Sequence, residues 1–190
     1  MQQKSLILFA SGRGSNAEAI IQHFEKTKQA GVALIVCNNE KAGVIDIALR
    51  YNIPFLIINK KTFEEQLLIT QLQQYAPNLI VLAGFLWKIP SSLIQAFPNK
   101  IINIHPALLP RYGGKGMYGL RVHEAVMAAK EKETGITIHY VNEHYDEGGT
   151  ILQANCALSA TDDVPDIARK VAKLEHTFLP KTIEYLISEQ

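Results

Sequence analysis

Leu6-Ile7-Leu8-Phe9-Ala10-Ser11-Gly12-Arg13-Gly14-Ser15-Asn16 decides the fold of this chain. A short apolar run is closed by a glycine turn, and a helical pattern follows from about Ser15 to Thr27. That pattern puts Ala19, Ile20, His23 and Phe24 on one side. A strand, a glycine turn and a helix start bring free backbone N–H groups beside the positive end of a helix, which is an arrangement that binds phosphate or another anion. The hydroxyl of Ser15 and the amide of Asn16 add donors there, or else cap the helix. Gly12, Gly14 and Ala17 also fit a loose dinucleotide fingerprint, but the second strand ends in Asn38-Asn39 with no acid at its tip. A tight structural turn is the plainer reading of the same residues.

The pattern repeats outward from this stretch. Val32 to Cys37, Pro54 to Ile58 and Leu79 to Ala83 read as strands, the last with the continuous apolar character of a strand buried on both faces. Helical patterns cover Ala42 to Tyr51 and Thr62 to Tyr75, with Gly31 placed to end the first helix and Thr62 with Glu65 placed as a capping box. A short helix follows Pro90, then a strand beginning at Ile101, a helix from Val122 to Lys132, strands at Gly135–Val141 and Ile151–Leu158, and a helix from about Val164 to Ile187 bent at Pro180. Alternating strands and helices predict one α/β domain over residues 1–190, Rossmann-like, with a mostly parallel central sheet flanked by helices.

Composition narrows the function. The chain has 190 residues, enough for one self-sufficient core. Lys and Arg number 19 against 18 Asp and Glu, a net charge of +1, so no broad positive field is available to grip nucleic acid. No apolar run is long enough to span a membrane, and the N-terminus lacks the pattern of a signal peptide, so the expected compartment is the cytoplasm. Cys37 and Cys156 match no metal spacing and read as reduced core residues. No zinc-like, Walker or nucleophile-elbow motif occurs, and no metal is expected.

Two other stretches carry chemistry. In Asn103-Ile104-His105-Pro106, residues two apart on a strand face the same side, so an amide and an imidazole share one space where open α/β sheets bind ligands. An amide donor beside a histidine suits a carbonyl that becomes an oxyanion, although a single buried histidine is as often a satisfied core residue. Tyr145-Asp146-Glu147-Gly148-Gly149 reads first as a turn between two strands, since Asp caps a backbone and Gly accepts positive φ. Arg111 to Gly119 holds four glycines in seven residues and predicts a mobile loop. Glu175-His176 on the last helix has nothing in its pattern that marks it out.

Taken in order, Phe9 to Asn16, Ala83-Gly84-Phe85, Asn103 to Pro110 and Asp146 to Gly149 resemble the formyl-folate enzymes, and among them the folate-dependent phosphoribosylglycinamide formyltransferases. The resemblance covers nearly the whole chain. It implies transfer of a formyl group from 10-formyltetrahydrofolate, as cosubstrate, to the amine of glycinamide ribonucleotide. It further implies a catalytic trio of Asn103, His105 and Asp146. Gly14, Ser15 and Asn16 would hold the substrate phosphate and Glu175 would lie near the glycinamide end. Lys61, Leu86, Trp87, Lys88, Ile89 and Asn103 match folate-binding positions, with Trp87 standing where a smaller or basic residue is expected. The phosphate-binding part would span about residues 1–100 and the folate and catalytic part about 101–190. The partners implied are small molecules, with no nucleic acid or membrane, and the chain would act as a monomer or homodimer. Formyl-folate hydrolysis and a non-catalytic nucleotide-binding module are the competing readings.

Overall fold

The computed structural model describes residues 3–63 and 65–189; Met1, Gln2 and Gln190 at the ends, and Glu64 within the helix expected at 62–75, lie outside the described residues. The elements in order are β1 (Lys4–Ala10), α1 (Ser15–Thr27), β2 (Ala30–Cys37), α2 (Val44–Arg50), β3 (Phe55–Ile57), α3 (Lys60–Phe63) and α4 (Gln66–Gln74). They continue with β4 (Leu79–Leu82), α5 (Ser91–Ala96), β5 (Ile101–His105), α6 (Leu120–Ala128), β6 (Glu133–Tyr140), β7 (Thr150–Ala157) and α7 (Val164–Ser188).

The strands form one seven-stranded sheet in the order β3-β2-β1-β4-β5-β6-β7. The first five are parallel, and β6 and β7 are added by antiparallel pairing. The period of two in each strand divides the core into two halves. Leu6, Leu8 and Ala10 of β1 pack with α1, α2 and α7, whereas Ile7 and Phe9 pack with α3, α4 and α5. None of the five is exposed to solvent, so this strand lies at the centre of a three-layer sandwich.

Several local expectations are corrected. Gly31 does not end α1: Lys28 does, turning to φ 58° and donating its N–H to Phe24 O at 2.9 Å, while Gly31 lies inside β2. The helix expected from Thr62 to Tyr75 is two helices, and the reciprocal cap sits earlier than the proposed Thr62–Glu65 box. Asn59 N donates to Thr62 Oγ1 at 2.9 Å and Thr62 N to Asn59 Oδ1 at 3.0 Å, so Asn59 takes the capping role and Thr62 answers it three residues on. Helix α6 stops at Ala128 because Lys130 turns to φ 52°, which frees Glu133 and Thr134 to begin β6 two residues earlier than expected. The last helix is where the sequence placed it, with Pro180 inside α7, and it opens with a capping box between Asp163 and Asp166.

The turn between β6 and β7 is held by close backbone approach. A Cβ on Gly148 would stand 1.7 Å from the Tyr140 carbonyl oxygen, while one on Gly149 would meet nothing within 4 Å. Gly148→Ala must push this turn away from β6 and should cost about 2–3 kcal/mol of stability in urea unfolding, whereas Gly149→Ala should stay within about 0.5 kcal/mol of wild type.

Candidate active site

Strand order reverses at β1, whose neighbours are β2 on one side and β4 on the other, and such a switch point opens a crevice at the carboxyl ends of the strands. The loops after β1 and β4 are tied across it: Ser11 N donates to Gly84 O at 3.1 Å, and Leu86 N donates to Ser11 Oγ at 3.0 Å. The cleft above them has a volume of about 660 Å³, within the usual range for small-molecule sites.

At one end of the cleft is the start of α1. Gly14 takes φ 82° with Val44 and Ile47 packed where a Cβ would point, and no side chain caps the helix. The first-turn N–H groups therefore face the cleft, with Ser15 exposed beside them. Asn16 has turned away from this terminus. It is buried, and its Nδ2 donates to Glu175 Oε2 of α7 at 3.2 Å, leaving its own Oδ1 buried without a partner.

At the other end, β5 presents Asn103 and His105 on one side, as the i, i+2 spacing requires. Antiparallel pairing sets His139 of β6 directly opposite Asn103, and Asn103 Nδ2 donates to His139 Nε2 at 3.1 Å. The loop before β7 lowers Asp146 between the two imidazoles, with Oδ2 at 3.6 Å from His105 Nδ1 and Oδ1 at 3.7 Å from His139 Nε2. Backbone carbonyls assign both tautomers. His105 Nε2–H donates to Tyr112 O at 2.7 Å and His139 Nδ1–H donates to Tyr140 O at 2.9 Å, which leaves His105 Nδ1 and His139 Nε2 as the ring nitrogens nearest the carboxylate.

The electrostatics follow from burial and these contacts. Burial lowers the His105 pKa and outweighs the opposing pull of Asp146 and the Tyr112 carbonyl. Burial works to raise Asp146, but His139, His105 and the Gly114 N–H, which donates to Oδ2 at 2.9 Å, together hold it below the usual carboxylate range. The carboxylate is thus ionised at neutral pH and the imidazole beside it is neutral. That pairing suits accepting one proton and passing it on.

The structure brings together Asn103, His105, Asp146, Gly14, Ser15, Asn16 and Glu175 around one cleft. The segment Leu86-Trp87-Lys88-Ile89 also lines it, with its side chains divided. Leu86 is exposed toward the cleft, and Lys88 Nζ lies 5.9 Å from the Tyr145 ring centre. Trp87 packs on Phe63 and Phe85, and Ile89 is buried in the core with α4 and α5. Lys61 is exposed on α3 and is not among the residues that line the cleft. Sequence reading missed three contributors. His139 appeared only as the polar side of an alternating strand, and His123 of α6 is buried in the cleft wall with Nδ1 unpartnered. Thr137, fully buried, clamps the turn after β5: its Oγ1 donates to Ala107 O at 2.7 Å and accepts from Leu109 N at 3.0 Å.

Residues 4–183 match the family model described as formyl transferase, a span that holds every residue of this site. The chain belongs to the formyl transferase family. It is 37% identical over 196 residues to the chloroplastic phosphoribosylglycinamide formyltransferase of Arabidopsis thaliana, covering all of this chain and 67% of that one. It is 38% identical over 190 residues to the Bacillus subtilis phosphoribosylglycinamide formyltransferase, covering 97% and 95% of the two chains. The crystal structure of the Anaplasma phagocytophilum phosphoribosylglycinamide formyltransferase superposes with a TM-score of 0.90 at 30% identity, covering 99% of this chain and 88% of that one. Among the described residues no helix is long and apolar enough to cross a membrane, and no group of three or more His, Cys, Asp or Glu side chains is placed to hold a metal ion.

Within this formyl transferase cleft Glu175 is the most perturbed acid. Burial raises its pKa from 4.5 to about 7, against the opposing hydrogen bond from Asn16. A group whose folded pKa is raised contributes stability that is full below the unfolded value and lost as pH rises through the folded one. Glu175→Gln keeps an oxygen for Asn16 and removes the titration. In urea unfolding the variant should match wild type near pH 5 and exceed it by roughly 1–2 kcal/mol near pH 8.5. An unchanged difference across that window would show that Glu175 ionises freely in the folded protein.

Proposed function

We propose that this cleft transfers a formyl group from 10-formyltetrahydrofolate to the amine of glycinamide ribonucleotide, with Asn103, His105 and Asp146 carrying the chemistry. The chain would act in the cytoplasm, as a monomer or homodimer, on small molecules alone. The observation that carries the reading is the ionised Asp146 held between two imidazoles of fixed tautomer, next to an Asn103 amide that has given only one of its two N–H groups to His139.

The substrate amine attacks the formyl carbon; a C–N bond forms to it and, after a tetrahedral centre, the C–N bond to the folate breaks. Negative charge builds on the formyl oxygen. The second N–H of Asn103 meets it, and removing such a donor typically costs about 3–4 kcal/mol of transition-state stabilisation. The proton released by the amine passes to the Asp146–His105 pair, where His105 Nδ1 offers its lone pair, and a proton from the same pair goes to the departing folate nitrogen. Burial of the pair and the fixed positions of both substrates supply the rest of the acceleration.

The substrate phosphate is assigned to the uncapped start of α1 at Gly14 and Ser15, with Asn16 and Glu175 toward the glycinamide end. The folate lies along Leu86, Trp87, Lys88 and Ile89, and Lys61 is left to its outer, anionic end. The phosphate site thus falls in residues 1–100 and the chemistry in 101–190, with the folate wall drawn from the first part.

A spectrophotometric assay with a 10-formyl folate, with and without glycinamide ribonucleotide, tests the reading. Deformylation that requires the ribonucleotide is expected. Formate release without it would make the chain a hydrolase, and no deformylation from folded protein would leave a binding module. Asn103→Ala should lower kcat by roughly 10²–10³. His105→Ala and Asp146→Ala should each lower it by roughly 10²–10⁴ with the fold intact by circular dichroism. Near wild-type rates in all three would sink the mechanism.

A further inference from the structure

The side of His105 away from the substrates is held by a segment that the chemistry above does not use. Tyr112 is one of the few non-glycine residues with positive φ, at 58°, a conformation that L-residues with large side chains avoid. This twist aims its carbonyl at His105 Nε2, 2.7 Å away. The same twist sends the phenol in the opposite direction, where its hydroxyl donates to Glu131 Oε1 at 2.6 Å. Arg111 pairs with the same carboxylate oxygen, and its guanidinium carbon lies 5.4 Å from the centre of the Tyr112 ring. The next residues close on the other acid. Gly113 packs against Leu109 and the Asp146 side chain, and Gly114 N donates to Asp146 Oδ2. Glu131 itself is anchored outside the loop, at the junction of α6 and β6, where its N–H reaches back to Val126 O at 3.4 Å.

We propose that Tyr112, held by Glu131 and Arg111, is a positioning residue that fixes the reactive tautomer of His105. The logic is a competition between two acceptors on one neutral ring. The Asp146 carboxylate, 3.6 Å from Nδ1, favours a proton on Nδ1. The Tyr112 carbonyl, nearer and on the other nitrogen, favours a proton on Nε2. A neutral imidazole satisfies one of them. With Tyr112 in place the proton sits on Nε2 and the Nδ1 lone pair is left beside Asp146 to take the released proton; with Tyr112 released, the ring protonates on Nδ1 against Asp146 and the lone pair moves to Nε2, on the far side of the ring. The other ionisable groups facing His105, His139 of β6 and His123 of α6, are imidazoles and supply no competing carboxylate. The catalytic consequence rests on the formyl-transfer reading, whereas the tautomer does not.

The test uses the full chain labelled with ¹⁵N-histidine, reading the His105 imidazole shifts above its titration, alongside steady-state kinetics with both substrates. Wild type should show His105 protonated on Nε2. Tyr112→Phe and Glu131→Ala should move the proton to Nδ1 and lower kcat roughly tenfold or more, with both KM values within about twofold, as expected when orientation of a reacting group is lost. Glu131→Gln, which still offers an oxygen to the phenol, should restore the Nε2 signature and most of the rate. If Glu131→Ala does not fold, the Tyr112→Phe and Glu131→Gln pair carries the comparison unaided. Retention of the Nε2 signature in Tyr112→Phe overturns the proposal, whether or not kcat falls. A shift to Nδ1 in a chain without formyl transfer would uphold the positioning role and reject the function assigned to the cleft.

Discussion

The register between β5 and β6 is the constraint on which the site depends. Asn103 stands opposite His139 and His105 opposite Thr137, with Ile102, Ile104, Ile136 and Ile138 turned to the other face. Side chains alternate with a period of two, so a slip of one residue in either strand would carry its polar members into the α1–α7 core and its isoleucines into the cleft. Both outcomes are costly, because buried imidazoles and amides need partners and apolar side chains do not supply them. The hydrophobic pattern of two adjacent strands therefore specifies the polar arrangement on their reverse. Thr137 and Gln153 extend the same logic by fixing the turn that follows β5, with Gln153 Nε2 donating to Leu109 O at 2.9 Å.

Burial then tunes what register has assembled. His105 and His139 are almost wholly buried, yet each has a carbonyl on one nitrogen and a polar group facing the other. At His105 the enclosure that disfavours an imidazolium also strengthens its attraction to Asp146, so its proton affinity rests on a few close contacts rather than on solvent. At the far end of the cleft Glu175 has, among the described residues, one hydrogen-bond donor in Asn16 and no cation, and its affinity for a proton rises. The two carboxylates of one cleft are thus driven apart in acidity, as sites that hold an acid and a base together require.

The mostly parallel character of the sheet and the position of the glycine turn were legible in the sequence, because apolar runs, glycine turns and helical periods are local signals. Asn103 and His105 were legible for the same reason, being two residues apart on one strand. Asp146 was not separable from an ordinary turn residue by pattern; it reached the trio through family resemblance. In the structure Asp146 is a turn residue, at φ 57°, whose carboxylate also enters the cleft beside His105. His139 escaped notice because its partner lies 36 residues away across an antiparallel pairing that no local signal specifies. Gly31 was misjudged because a left-handed lysine took over the task glycine usually performs, leaving the glycine to the strand.

The contact between Asn16 and Glu175 joins residues 159 apart in the chain. The first lies at the start of α1 and the second in α7, so two walls of this end of the cleft come from helices far apart in sequence and packed side by side. Docking of α7 against α1 therefore does two things at once: it covers the apolar face the helices share, and it closes the polar end of the cleft. A change that loosened that docking would open the cleft while leaving the β5–β6 register untouched.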